Sequence, residues 1–154
     1  MSLRYDPRWS AAKCEPGAQY SWGTAVGPTT AIFISSTPGA STECPLENES
    51  PEILIESTPA SATPQATPGI GACGANTPTT SEVTVDGVTG QRQLLTYGTY
   101  SGCIGIPIVA EVRYTFTTNG RLYTLNYAHR QGDAHDLTSE FDLMVQETVT
   151  FSAS

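Results

Sequence analysis

Polar and apolar residues alternate most regularly in the second half of the chain. On either side of Asn119-Gly120, Val112, Tyr114 and Phe116 alternate with Arg113, Thr115 and Thr117, and Tyr123, Leu125 and Tyr127 alternate with Thr124 and Asn126. A period of two turns each set towards one side of a sheet, so one face of this ribbon is buried. Asn-Gly supplies the two positive-φ residues of a type I′ turn, and the pattern predicts a hairpin of 108–117 with 121–127. Asp86-Gly87 predicts a second hairpin, 82–86 with 88–97. The period then changes. Leu137, Phe141, Met144 and Val145 recur at helical spacing behind Asp136, a residue type that caps helix N-termini. An amphipathic helix here would lie across the sheet, and renewed alternation over 148–151 predicts a final strand.

The first half is less regular. Tyr20, Trp22 and Thr24 favour a strand over 19–26, which Gly27-Pro28-Thr29-Thr30 would join to a strand over 31–35. From 36 to 81 the chain is rich in Ser, Thr, Ala and Pro, and seven of its eleven prolines lie between Pro38 and Pro78. Proline removes a donor and blocks helix, so this region reads as loop. Its exception is Glu52-Ile53-Leu54-Ile55-Glu56, an extended apolar run between Pro51 and Pro59. Thr58-Pro59, Thr63-Pro64 and Thr67-Pro68 fit either a long loop or an O-glycosylated stalk, and Asn48-Glu49-Ser50 fits an N-glycosylation acceptor. The fold class expected is α+β: an antiparallel sheet built from hairpins, with a C-terminal helix packed on it. One domain over 4–154 accounts for the length. Met1-Ser2-Leu3 reads as a start left by removal of a native targeting segment and is set apart from the fold.

The turn at Asp86-Gly87, the hairpin at Asn119-Gly120 ending in Tyr123-Thr124-Leu125-Asn126-Tyr127, Glu140-Phe141-Asp142-Leu143-Met144-Val145 and the ending at Phe151 resemble the PsbP-like family. That family comprises extrinsic photosystem II proteins and related bacterial lipoproteins. Tyr5-Asp6-Pro7-Arg8-Trp9 is similar to its aromatic, Pro and Trp entry motif. The resemblance covers the C-terminal half and 5–9. It implies an antiparallel sheet flanked by helices, and a domain that binds varied partners and is mostly not an enzyme. The Thr-Pro-rich middle departs from the family, as do the four cysteines, and no functional residue carries over.

Charge narrows the choice of partner. The net charge is -8, and between Cys14 and Gln91 there is no Lys or Arg, while Glu15, Glu43, Glu47, Glu49, Glu52, Glu56, Glu82 and Asp86 lie there. The basic residues Arg4, Arg8, Lys13, Arg92, Arg113, Arg121 and Arg130 are scattered. A phosphate-binding surface needs clustered cations, so nucleic acid is not an expected partner. No apolar run is long enough for a transmembrane segment. Like charge keeps such a surface soluble, and the acidic stretch offers an alternative attraction for calcium or a basic protein.

Cys14, Cys44, Cys73 and Cys103 are even in number and lack the close pairs of zinc ribbons and redox sites. Two disulfides are expected. Mirroring about Asp86-Gly87 sets position 73 opposite 100, near Cys103, and mirroring about Gly27-Pro28 sets position 14 opposite 41, near Cys44. The pairing read this way is Cys14 with Cys44 and Cys73 with Cys103. Each bridge closes a loop of about 30 residues, worth roughly 3 kcal/mol in the chain-entropy model. Such bonds persist in an oxidising compartment, which predicts an extracellular, periplasmic or cell-surface location, with a lipid anchor in the native precursor as one form of attachment.

Catalytic signatures are sparse. Gly69-Ile70-Gly71-Ala72-Cys73-Gly74 spells GxGxxG, but Pro68 precedes it and Ala75-Asn76-Thr77-Pro78 follows, where a nucleotide fold needs a strand and a helix. His129, Asp133, His135 and Asp136 fall between the second hairpin and the helix. Two imidazoles and two carboxylates are ligand types for zinc or a similar ion, and Asp136 could orient His135 for acid–base work. The same residues suit a solvated turn and a helix cap. Tyr97, Tyr100, Tyr114, Tyr123 and Tyr127, with Trp9 and Trp22, either line a groove for carbohydrate or peptide or fill the core. The function expected is that of a non-catalytic exported or cell-surface domain acting through an unidentified protein or small ligand. The alternative is a metal-dependent hydrolase using His129 and His135.

Overall fold

The computed structural model describes residues 1–15, 19–20, 23–24, 30–36, 52–61, 78–97 and 108–151. In chain order the strands are β1 (Ser10–Cys14), β2 (Gln19–Tyr20), β3 (Gly23–Thr24), β4 (Thr30–Ser35), β5 (Ile53–Pro59), β6 (Thr79–Val85), β7 (Val88–Thr96), β8 (Ile108–Thr118) and β9 (Arg121–Arg130). The helix α1 (Thr138–Thr148) follows. Seven strands form one sheet in the order β1-β4-β5-β9-β8-β7-β6, every neighbouring pair antiparallel, and β2 and β3 pair separately. The α+β architecture expected from the pattern is present: an antiparallel sheet with one C-terminal helix.

The C-terminal four strands are a meander, and its last strand, β9, lies against β5. That contact explains the apolar run in an otherwise polar stretch. Ile53, Leu54 and Ile55 pair with Ile34, Phe33 and Ile32 on one side and with Tyr127, Asn126 and Leu125 on the other, so β5 is a central strand. Both I′ positions hold: φ is +48° and +74° at Asp86 and Gly87, and +51° and +68° at Asn119 and Gly120.

The registers assign every side chain to a face. Val112, Tyr114 and Phe116 of β8, Tyr123, Leu125 and Tyr127 of β9, Ile53 and Ile55 of β5 and Ile34 of β4 share the face that α1 covers. From the helix, Phe141, Met144 and Val145 enter this core. Phe141 lies edge-on to Tyr114, with ring centroids 5.9 Å apart, and 5.7 Å from Tyr127. Each fully buried large side chain of this kind contributes about 1.5–3 kcal/mol. Asp142, one residue on, accepts from Arg92 Nε at 2.9 Å, Arg92 Nη2 at 2.7 Å and Tyr114 Oη at 2.6 Å, tying the helix to β7 and β8.

Several expectations are corrected. Among the described residues no hairpin joins 19–26 to 31–35: β2 pairs with β3, and β4 pairs with β1, a strand absent from the sequence reading, and sets Cys14 opposite Ala31. Short alternation favours a local partner, whereas Ala31, Phe33 and Ile34 are buried in a strand flanked by β1 and β5. The segment 148–151 is not a strand, because α1 runs to Thr148 and leaves Thr150 making a single bridge with Ser2. Met1-Ser2-Leu3 accordingly belongs to the fold, and Met1 and Leu3 pack against the core. The Tyr5-Asp6-Pro7-Arg8-Trp9 segment turns where Trp9 N donates to Asp6 O at 2.9 Å, and Trp9 also meets the core.

Gly90 lies opposite Phe116 in the β7–β8 register. A methyl group at this position would run into the Thr115 carbonyl oxygen and the Phe116 ring. Gly90→Ala is therefore expected to cost roughly 1–3 kcal/mol by overpacking. Chemical denaturation would measure it, and pairing the substitution with Phe116→Leu should recover part of the loss.

Candidate functional site

The four loop candidates do not act as one group. β9 runs to Arg130, so His129 is a strand residue rather than a loop residue. Its Nδ1 is buried without a hydrogen-bond partner, 3.7 Å from Asp133 Oδ2. Asp133 is spent on a turn: Oδ2 accepts the Arg130 N–H at 2.6 Å, and its own N–H reaches Arg130 O at 3.2 Å. Asp136 Oδ1 accepts the Thr138 N–H at 2.9 Å, and the Thr138 side chain, then this N–H, lower its carboxyl pKa against the effect of burial. The N-cap position itself is Leu137, whose side chain makes no capping bond. Its N–H donates instead to Tyr127 Oη at 2.8 Å. Burial pushes the Tyr127 phenol up to about 12. His135 is exposed. Among the described residues, no three His, Cys, Asp or Glu side chains are placed to hold a metal ion.

The aromatic residues divide. Tyr114, Tyr123 and Tyr127 are buried between sheet and helix, so they fill the core rather than line a groove. Tyr97 is half-buried, and Tyr100 and Trp22 lie outside the described residues.

A different constellation occupies the sheet face opposite α1, built by the polar members of the alternating strands. Glu111 and Arg113 of β8, Asn126 of β9 and Glu56 of β5 all point to this side. Glu111 is the one charged residue among the described residues that is fully buried. Tyr97 Oη donates to its Oε2 at 2.7 Å, and Arg113 Nη2 donates to its Oε1 at 2.6 Å. Burial and then the bond to Glu111 push the Tyr97 phenol up, so it stays protonated and remains a donor. Glu111 is thus matched at both oxygens.

One of its neighbours is not matched. Asn126, opposite Arg113, has a buried Oδ1 with no partner. Glu56, opposite Thr124 and diagonal to Asn126, carries a carboxyl that burial pushes up while Arg113 pulls it down. At the β1–β4 end of the same face, Ala12, Cys14, Ala31 and Phe33 form a small buried apolar group against Leu54. Among the described residues no cysteine is free; Cys44, Cys73 and Cys103 lie outside them.

Sequence reasoning passed over this face because alternation treats the polar half of each strand as solvated. One signal was available: glutamate and arginine spaced by two on a strand whose remaining residues are apolar or β-branched. No helix among the described residues is long and apolar enough to cross a membrane. Comparison with protein-family models, with curated proteins and with solved structures found no match.

The sign of the Glu56 effect follows from its surroundings. A carboxyl whose pKa rises on folding binds its proton more tightly in the folded chain. Its contribution to stability is present below the ordinary carboxylate range and lost as pH rises through the raised folded value. Glu56→Gln is therefore expected to raise the melting temperature at pH 7, and the gain should fade as the solution is acidified. Paired thermal melts across that range would check it.

Proposed function

We propose that this chain is a non-catalytic exported or cell-surface domain that binds a protein or a small ligand, using the sheet face opposite its helix. The observation that carries the proposal is the polar group at the centre of that face. Buried polar groups in folded proteins are ordinarily matched, and here Glu111 is, whereas Asn126 Oδ1 is not. A ligand would supply what the fold withholds.

Two disulfides support the exported location. The β6–β7 register, with Thr79 opposite Leu94, continues the mirror about Asp86-Gly87 that favours Cys73 with Cys103. The mirror about Gly27-Pro28 loses its basis, since Cys14 faces Ala31, and the pairing of Cys14 with Cys44 then rests on the even count. A PsbP-like relationship, with a lipid anchor in the native precursor, would suit the same location, and the sheet-plus-helix architecture is compatible with it.

The second reading is a metal-dependent hydrolase at His129 and His135. What favours it is the unpartnered Nδ1 of His129 beside Asp133. The two readings separate in a thermal-shift assay with zinc and calcium, before and after chelation. Binding-domain function predicts the same midpoint with either ion. A rise with zinc that His129→Ala plus His135→Ala abolishes would establish the metal site instead.

Natively exported material should show no free thiol by mass spectrometry under non-reducing conditions, with two hydrogens missing per bridge. Reductant should lower stability by roughly 3 kcal/mol for each bridge opened. Four free thiols would remove the exported location.

A further inference from the structure

We propose that the outer edge of β6 takes up an extended, basic segment of a partner protein as an eighth strand of the sheet, with a lysine or arginine of that segment set against Glu82. The site stands apart from the polar group at the centre of the face, since β6 lies three strands from β9 in the sheet order.

The register shows which backbone groups this edge offers. Val85 and Val88 flank the two-residue turn at Asp86-Gly87, so they exchange hydrogen bonds with each other. Bonded pairs alternate along an antiparallel ladder. Val83, Ser81 and Thr79 therefore bond inwards to β7, and the N–H and C=O groups of Thr84, Glu82 and Thr80 point outwards. No strand among the described residues pairs with that side. Thr79, Thr80, Ser81, Glu82 and Thr84 are exposed, so nothing else covers it.

The two borders of the sheet differ. Edge strands are ordinarily blunted by shortness, lysine, proline or a bulge. At the other border, β1 has five residues and carries Lys13. In contrast, β6 runs for seven residues without lysine, proline or a register shift, and its threonines and valines suit a pleated strand. Its single charge is Glu82, at the middle of the strand.

Glu82 selects the occupant. Its carboxylate enters none of the ion pairs among the described residues, and Gln91 rather than a cation lies opposite it on β7. A second copy of the chain is opposed: antiparallel pairing about the middle of β6 sets Glu82 against the second copy's Glu82, and each chain carries a net charge of -8. Like charges directly opposite destabilise a strand pair. A basic segment instead gains a matched charge and approaches through a field that favours it. Alternation completes the requirement. Glu82 shares the side facing away from α1 with Gln91 and Thr115, whereas Val83 and Val85 turn towards the helix and meet the core. The partner segment therefore carries its basic residue on one side and apolar residues at the flanking positions, with main-chain bonds supplying affinity and side chains the choice of partner.

The test is a nuclear magnetic resonance titration of the full chain, isotope-labelled and with its cysteines in the native oxidation state. The probe is a peptide with blocked ends in which four valines alternate with threonine, lysine and threonine. One comparison peptide has glutamate in place of lysine. Another keeps every side chain but is N-methylated at the lysine and both threonines, which removes the donors that would face β6. The lysine peptide should shift the amide resonances of Thr80, Glu82 and Thr84 saturably and slow their hydrogen exchange. The glutamate peptide should bind roughly tenfold more weakly, through one attraction lost and one repulsion gained. The N-methylated peptide should not bind. Glu82→Lys should reverse the preference, so that the glutamate peptide becomes the tighter of the two, and this gain shows that the variant is folded.

Equal affinity for the lysine and glutamate peptides, binding that survives N-methylation, or no response of the three amides to the lysine peptide would overturn the proposal. Shifts centred on Asn126 would also overturn it, by placing the peptide on the face instead of the edge. Protection of the same amides that rises with the concentration of the chain alone would overturn it in favour of a second copy.

Discussion

One short helix has to close a wide sheet, and the rest of the structure accommodates that mismatch. At about 1.5 Å per residue the eleven residues of α1 reach roughly 16 Å. Seven strands about 4.8 Å apart spread over roughly 29 Å. The helix therefore covers the centre, and chain ends cover what remains. Phe151 packs on Phe116 and Tyr123 at centroid distances of 5.1 and 5.6 Å, and its N–H donates to Asp86 Oδ2 at 2.7 Å, at the tip of the first hairpin. Met1, Leu3 and Trp9 close the same side, and the Ser2–Thr150 bridge joins the two termini. Because the core is completed by pieces distant in sequence, the helix must be held in one place. The bidentate Arg92–Asp142 pair with the Tyr114 hydroxyl does this from the sheet, while Phe141 does it from the helix.

The same mismatch makes the two faces unlike. The helix face is aromatic and aliphatic throughout its centre. The opposite face is divided between a small apolar group on β1 and β4 and a polar group on β5, β7, β8 and β9. Position within the sheet decides which polar residues matter. Gln91 and Thr115 sit on that face as ordinary strand surface, whereas Glu111 is enclosed and must be matched. Tyr97 serves this purpose from beyond the end of β7, where its N–H also reaches Val109 O at 3.0 Å beside the β8 irregularity. The bulge and the buried carboxylate are neighbours, consistent with bulges re-aiming side chains next to polar sites.

Legibility in the sequence tracked the distance over which each element is specified. The hairpins at Asp86-Gly87 and Asn119-Gly120 were readable because turn chemistry and alternation lie within a few residues of each other. The helix was readable because Phe141, Met144 and Val145 repeat at its own period. The β1–β4 and β5–β9 pairings were not, since nothing local in Ser10–Cys14 or Ile53–Pro59 names the partner. The His129, Asp133, His135 and Asp136 group was assembled from nearness in sequence, and the chain undoes it by continuing β9 through His129 and spending both aspartates on backbone N–H groups. The Glu56 and Asn126 pair was invisible for the converse reason. Seventy positions separate the two residues, and only the antiparallel register between β5 and β9 makes them neighbours.

That pair is also where local and global preferences disagree. A sheet that needed only to be stable would place a threonine or a valine at each site, as it does at Thr124 and Val112. Glu56 instead carries a carboxyl that its burial disfavours as an anion, and Asn126 withholds an oxygen from every donor around it. Glu111 shows that this fold can match a buried acid completely when a tyrosine and an arginine are supplied. The unmatched Oδ1 of Asn126 is therefore a property of that position rather than of the face. Places where a fold departs from its own local rules without an evident structural return are where function is first sought. On this sheet, that criterion leads to β5 and β9.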